Sequence, residues 1–301
     1  MEVMMMHADT ENFQKTATRV SLVSIIGNIA LSLFKLAAGI LAHSGAMVSD
    51  AIHSSSDVVS SIIVIIGVRL SGKESDKEHP YGHERLECVA AIALSTLLFI
   101  TGLAIGASAV KSIISGSWES LAVPGILALI AAIVSIVSKE AMFWYTKINA
   151  MRIDSSALMA DAWHHRSDAL SSIGALVGIA GARMGYPVAD AIASLVICLF
   201  IVKAAYDIFT DAIDKMVDHS CDQEVEQKLR ECILADEGVL GIDLLHTRVF
   251  GNKIYVDLEI GADGSQSLNE AHAIAERVHD AIEADFPKVK HIMVHVNPVN
   301  K

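Results

Sequence analysis

Six apolar stretches, each long enough to cross a bilayer, constrain this chain more than any other feature. A transmembrane helix needs about 20 predominantly apolar residues, and such stretches fall at 19–42, 46–70, 88–114, 121–145, 155–182 and 188–212. In lipid every backbone polar group must be satisfied internally, so each stretch is expected to be helical. With 52% of its residues hydrophobic and only 19% charged, the chain is too apolar for an ordinary soluble protein.

Two of the six stretches carry polar residues in the same order. Asp50-Ala-Ile-His-Ser-Ser-Ser-Asp57 lies in the second and Asp161-Ala-Trp-His-His-Arg-Ser-Asp168 in the fifth, and each runs on into a Ser-Ser pair, Ser60-Ser61 and Ser171-Ser172. His53 and His164 stand 111 residues apart, as do Asp57 and Asp168. Within each copy the His and Asp are four residues apart, which on a helix puts both on one face. An ionised Asp in an apolar segment needs a partner, a cation or water. Two facing helices that each offer an imidazole and a carboxylate make a four-ligand set of nitrogen and oxygen, suited to a borderline divalent cation such as zinc. The alternative for any one of these residues is a hydrogen-bonded structural group, and the repetition favours ligation.

Charge bias gives an orientation. Lys15 and Arg19 precede the first stretch. Arg69, Lys73, Lys77 and Arg85 flank the loop after the second, Lys139, Lys147 and Arg152 the loop after the fourth, and Lys215 follows the sixth. The alternate loops hold only Lys111 and Arg183 at their edges, so the positive-inside rule makes both termini cytoplasmic. Lys35, Lys203 and Asp207, inside or near the ends of stretches, are expected to snorkel to the interface. A net charge of −12 with no basic run excludes nucleic acid as a partner. Cys88, Cys198, Cys221 and Cys232 have no Cys-x-x-Cys spacing and read as reduced and buried. The polar, acidic beginning, Met1 to Phe13, does not resemble a secretory signal peptide.

Between the second and third stretches, Asp76-Lys-Glu-His-Pro-Tyr-Gly-His83 offers Asp76, His79 and His83 as a second cation cluster at the cytoplasmic surface. Pro80 and Gly82 supply a turn that can bring the imidazoles together. Three segments follow from these patterns: an N-terminal cytoplasmic segment (1–18), a six-helix transmembrane domain (19–214) and a cytosolic domain (215–301). In the last, Asp222–Ala235 has helical spacing. Leu244–Phe250 and Lys253–Ile260 read as strands joined at Gly251-Asn252, a hairpin signal. Ser267-Leu-Asn-Glu270 is a capping-box pattern opening a helix to about Asp285, and His291–Val296 reads as a closing strand. The order α-β-β-α-β predicts a small ferredoxin-like α+β fold.

Taken together, His53-x-x-x-Asp57, His164-x-x-x-Asp168, His79-Pro-Tyr-Gly-His83 and the trailing α+β domain resemble the cation diffusion facilitator family over nearly the whole chain. The resemblance implies a homodimeric six-helix exporter in a prokaryotic plasma membrane that exchanges a cytoplasmic divalent metal for protons. It implies that His53, Asp57, His164 and Asp168 form the transport site and that Asp76, His79 and His83 form a loop site. In the cytosolic domain it implies a structural or regulatory metal site at positions matching Asp243, Asp257, His272 and His295, with His246 nearby. Asn297 stands where the family often has Asp, and a neutral amide is a poorer ligand. Having His53 rather than Asp at its position is more like the zinc-preferring branch.

The expected function is therefore a proton-coupled antiporter for divalent metal, zinc first, working by alternating access, with the bilayer, the metal ions and protons as its other partners. Metal binds only when the imidazoles are neutral and the carboxylates ionised, so metal and protons compete for one site. The alternatives are a related exporter of iron, cadmium, cobalt or manganese, and, from another class, a membrane metal sensor or metallohydrolase. The chain offers no obvious nucleophile or phosphate-binding loop for a hydrolase, and no enzyme activity is expected.

Overall fold

A computed structural model of the chain describes residues 2–41, 45–115, 126–183, 189–251 and 253–299. Its elements, in order, are α1 (Glu2–Leu41), α2 (Gly45–Ser71), α3 (Arg85–Ser115), α4 (Ile126–Ile153), α5 (Ser156–Arg183) and α6 (Ala189–Met216). After these come α7 (Gln223–Leu234), β1 (Gly241–Phe250), β2 (Lys253–Asp263), α8 (Leu268–Asp285) and β3 (Val289–Val299). Contacts divide the chain into two compact units, one of Glu11–Ile213 and one built around Asp214–Lys301.

In the helical unit large apolar side chains face outward, and a set of polar ones is buried beside the apolar core. Ile26, Leu33, Leu199 and Phe200 are exposed, whereas Ser24, Asn28, Ser54, Asp57, Ser60, Ser61, Lys139, Thr146, Asp161 and His165 are buried. Such a surface is stable only against lipid. The buried apolar core is rich in small residues, among them Ala90, Ala91, Ala157, Ala160 and Ala205 beside Val64, Leu94, Leu158 and Ile201. Close approach is the main source of helix association in a bilayer. At Gly174 on α5, an added Cβ would lie 2.8 Å from Ile197 Cδ1 of α6, so only glycine admits this contact without movement.

The link between α4 and α5 determines what faces what. Asp154 adopts a left-handed conformation (φ 55°), and the Ser155 N–H returns to the Ala150 carbonyl at 3.0 Å. This is a Schellman-type stop for α4. Ser155 then caps α5, its hydroxyl accepting from Leu158 N–H at 3.2 Å and donating to Glu87 Oε1 at 2.7 Å. The same Glu87 oxygen accepts from Ala157 N–H at 3.0 Å, placing a buried carboxylate of α3 at the amino end of α5. A turn this tight makes α4 and α5 an antiparallel hairpin. Lys139 and Asp168 lie fifteen and fourteen residues either side of Asp154, so at about 1.5 Å per residue they reach the same height, roughly 20 Å from the turn.

That geometry corrects two expectations. Lys139 does not flank a loop: it is 1% exposed, in the interior of the bundle. Lys147 and Arg152 alone carry the basic bias at that end of α4. Lys35 does not snorkel either; it is buried and donates to Ser54 Oγ at 2.9 Å, joining α1 to α2. Lys203 and Asp207 pair with each other at 3.1 Å on the exposed side of α6.

The second unit has the predicted order of elements. β1 pairs antiparallel with β2 and β2 parallel with β3, giving the sheet order β1-β2-β3. Gly251, at φ 64°, lies between the paired Phe250 and Lys253, and Asn252 lies outside the described residues. The capping box forms, with Ser267 Oγ accepting from Glu270 N–H and the Glu270 carboxylate accepting from Ser267 N–H. Leu229 and Ile233 of α7 and Ile274, Val278 and Ile282 of α8 pack with Leu245, Val256, Leu258 and Ile260, so both helices cover one face of the sheet. By strand alternation, Asp257 and Glu259 lie on the other face.

The hairpin can be tested at its turn. A β-branched residue in the left-handed region costs about 1–2 kcal/mol, and glycine costs nothing sterically. Asp154→Val is expected to lower the thermal unfolding midpoint of the purified protein, with Asp154→Gly at or above wild type. Equal midpoints for the two variants would contradict the turn described.

Candidate metal sites

Helix α2 meets α5 at the two repeated motifs. His164 Nε2 lies 3.4 Å from Asp57 Oδ1, and Asp57, His164 and Asp168 can each present a ligand atom with all three within 4.8 Å of one another. Asp57 and His164 are buried and Asp168 nearly so. One turn before Asp57 on α2 stands His53, whose side chain lies outside the described residues. Three of the four expected ligands thus converge from two helices.

The sequence reading missed what occupies the space between the carboxylates. Lys139 Nζ is 2.5 Å from Asp57 Oδ2 and 2.8 Å from Asp168 Oδ2. This ammonium bridges α2, α4 and α5 at one point. Around it α4 is clamped to α5 by Arg166, whose guanidinium contacts Glu140 Oε1 at 3.0 Å and stacks 4.5 Å from the Phe143 ring. Phe143 also meets Trp163 edge-on at 5.7 Å. Ser155 and the short α4–α5 link were the available signals, because a hairpin there sets Lys139 level with Asp168.

A second buried network lies one turn away along α5. Asp161, fully buried, accepts from Ser60 Oγ at 3.0 Å and from Ser61 Oγ at 3.2 Å. His165 Nε2 lies 3.6 Å from Asp161 and 3.3 Å from Ser24 Oγ. The Ser-Ser pair of the first copy therefore binds the leading Asp of the second, cross-bracing α2 and α5 one turn from the candidate ligands.

In the α2–α3 loop, Asp76, His79 and His83 come together as the sequence suggested, with ligand atoms within 4.8 Å of one another. His79 Nδ1 is 3.2 Å and His83 Nε2 3.6 Å from the Asp76 carboxylate, and the two rings lie 4.4 Å apart. A turn closes the cluster, the Gly82 N–H donating to the His79 carbonyl at 3.1 Å with Gly82 at φ 98°. His83 Nδ1 lies 3.3 Å and 3.2 Å from the Lys73 and Glu74 carbonyls, which leaves Nε2 toward Asp76. The Lys73 ammonium on Asp76 (2.7 Å), followed by the His79 N–H, holds that carboxyl well below the usual carboxylate range.

The expected set in the cytosolic domain does not assemble within one chain. Asp257 pairs with His246 across β1–β2, and His295 lies opposite Glu259 on β3, all on the face away from the helices. His272 is on α8, its Nε2 3.4 Å from Glu276 of the same helix. Asp243 instead meets Asn297, whose amide donates to Asp243 Oδ2 at 2.9 Å and to Glu259 Oε2 at 3.1 Å. The amide at 297 thus bridges two carboxylates where an acid would repel them. Among the described residues only the membrane and loop clusters bring three ligand groups together.

With this geometry in view, comparison with known proteins decides the family. Residues 21–217 match the cation efflux transmembrane domain and residues 221–299 the cytoplasmic domain of cation efflux proteins. The chain belongs to the cation diffusion facilitator family. As a family member it is a six-helix membrane protein of cation efflux with a ferredoxin-like cytoplasmic domain. It is 38% identical to an uncharacterised transporter of Methanocaldococcus jannaschii, over 93% of this chain and 97% of the relative. It is 29% identical to the manganese efflux system protein MneP of Bacillus subtilis, over 95% and 97%. Among solved structures, a cytoplasmic domain of MamM is 26% identical and covers 26% of this chain and 98% of its own, with a TM-score of 0.25.

The loop cluster yields a test in the intact protein. His79→Ala with His83→Ala is expected to weaken zinc binding and slow transport while leaving measurable flux. Asp76 is held below the usual carboxylate range, so acidification should weaken loop-bound zinc through proton competition at the imidazoles. Protonation removes the nitrogen lone pair, so the sign is loss on acidification. Zinc affinity at the loop that does not change with pH would show that the imidazoles are not ligands.

Proposed function

We propose that this chain exports divalent transition-metal cations from the cytoplasm in exchange for protons, with zinc as its preferred substrate. Two imidazoles and two carboxylates, from His53, Asp57, His164 and Asp168, are the transport site. The observation that carries this reading is the convergence of Asp57, His164 and Asp168 from α2 and α5 inside a bundle whose outer surface is apolar. Buried carboxylates and imidazoles in a membrane bundle mark an ion path. A compact site of mixed nitrogen and oxygen suits four-coordinate zinc, whereas magnesium and calcium prefer more oxygen ligands and higher coordination.

Coupling to protons follows from the ligands. Metal requires neutral imidazole and ionised carboxylate, so a proton taken at either group expels it. If the site opens to one side at a time, metal leaves outward as protons arrive and the protons leave inward on return. Basic residues at the ends of α2, α4 and α6 support cytoplasmic termini, and the matched cytoplasmic domain supports a homodimer. Asp76, His79 and His83 then lie on the cytoplasmic side, where the loop cluster can take up metal before it enters the bundle. The likeness to a manganese efflux protein favours manganese as the second reading of the substrate.

Initial uptake into proteoliposomes at a fixed proton gradient tests both points. Asp57→Ala and Asp168→Ala are each expected to reduce zinc uptake to background while the protein still inserts and dimerises; normal flux in either would sink the four-ligand site. Zinc should outrun manganese in the wild type, with magnesium and calcium not carried. His53→Asp should move the preference toward cadmium and harder cations by exchanging a nitrogen for an anionic oxygen. Manganese outrunning zinc would overturn the metal assignment and leave the exporter standing.

A further inference from the structure

We propose that Lys139 is a tethered competitor for the transported cation, so that metal enters and leaves the membrane site by exchange with the lysine ammonium. The inference rests on the site reading above and adds a residue from α4 to it.

The geometry carries the argument. Lys139 Nζ is within hydrogen-bond distance of Asp57 Oδ2 and Asp168 Oδ2, one oxygen from each carboxylate that the site reading assigns to metal. A cation cannot share those lone pairs with an ammonium at 2.5 Å and 2.8 Å, because like charges repel and the contact space is filled. Its stem is buried as well; the whole residue is 1% exposed. The ammonium is held between the two motifs by an α-helix that contributes no candidate ligand of its own. Its placement follows from the α4–α5 hairpin, which sets Lys139 level with Asp168.

Two consequences follow for transport. A group tethered beside its partners acts at a high effective concentration, millimolar or above for a short link. A monovalent ion from solution brings no second charge to the carboxylates, so it gains little over the ammonium already in place. A divalent metal wins through its second charge and by recruiting imidazole nitrogen, which an ammonium cannot do because it has no acceptor site. On release the same ammonium returns to the carboxylates, so the emptied site crosses the apolar bundle with its anions partly neutralised. Lys139 thereby weakens equilibrium binding and speeds turnover.

The test is zinc affinity of the full-length purified protein, measured by competition with a chromophoric chelator. His79→Ala and His83→Ala are present throughout so that the loop cluster does not contribute. The zinc equivalent lost in Asp168→Asn defines the membrane site; if none is lost, the site reading itself fails, whatever Lys139 does. Given that equivalent, Lys139→Met is expected to bind zinc about tenfold more tightly or better, which is the direction a lost competitor requires. Its transport should show a lower KM together with a lower kcat. Lys139→Arg, which keeps the charge, should bind zinc no more tightly than wild type. Lys139→Gln carries the same test should the methionine variant not be recovered, and either neutral variant should be recoverable in zinc, where the metal replaces the ammonium. A lysine that only holds helices together would give weaker binding on removal. Unchanged or weaker affinity in the neutral variants, or failure of both to fold even in saturating zinc, would overturn the proposal.

Discussion

Two carboxylates on neighbouring helices, Asp57 and Asp168, are drawn to one point inside an apolar bundle, and a cation must stand between them. Unpaired, each would cost several kcal/mol to keep charged away from water. In this protein the Lys139 ammonium neutralises them, and the rest of the helical unit is arranged to permit it. The α4–α5 hairpin sets the height of Lys139, and Arg166, Phe143 and Trp163 fix the two helices side by side. Asp161 and the Ser60-Ser61 pair hold α2 against α5, so that Asp57 reaches the same point. Breaking a buried ion pair by removing one partner is far costlier than never having built it. Under the exchange proposed for Lys139, the pair has a use beyond stability.

Much of this was legible in the chain. The His-x-x-x-Asp repeat is readable because a helix returns to the same face after four residues, and residues 164 and 168 cannot avoid sharing one. The loop cluster was readable because Pro80 and Gly82 leave few ways to connect His79 to His83. In the cytosolic domain the Ser267–Glu270 box and the Gly251 turn are local chemistry, and both form.

What was not legible depends on how helices meet. Lys139 lies fifteen residues before a turn, near enough to a basic helix end to read as a flanking charge. Only the left-handed Asp154 and the cap at Ser155 bring it inward and level with Asp168. Asp161 stood in the repeat without a role, since its partners, Ser60 and Ser61, are a hundred residues away. The resemblance grouped His272 with Asp257 and His295. Strand alternation turns Asp257 and His295 away from the face that α8 covers, and His272 rides on α8. Periodicity within an element is written in the sequence, and the choice of neighbour is not.

The most direct test of the account is where a bound metal sits and what it displaces. A structure of the full-length protein loaded with zinc, with anomalous scattering collected at the zinc edge, locates the ion and Lys139 together. The account predicts a zinc peak between Asp57 and Asp168, ligated also by His164 and His53, with the Lys139 ammonium withdrawn from both carboxylates. Zinc confined to the Asp76–His83 loop, with Lys139 still bridging the two carboxylates at saturating metal, would contradict it.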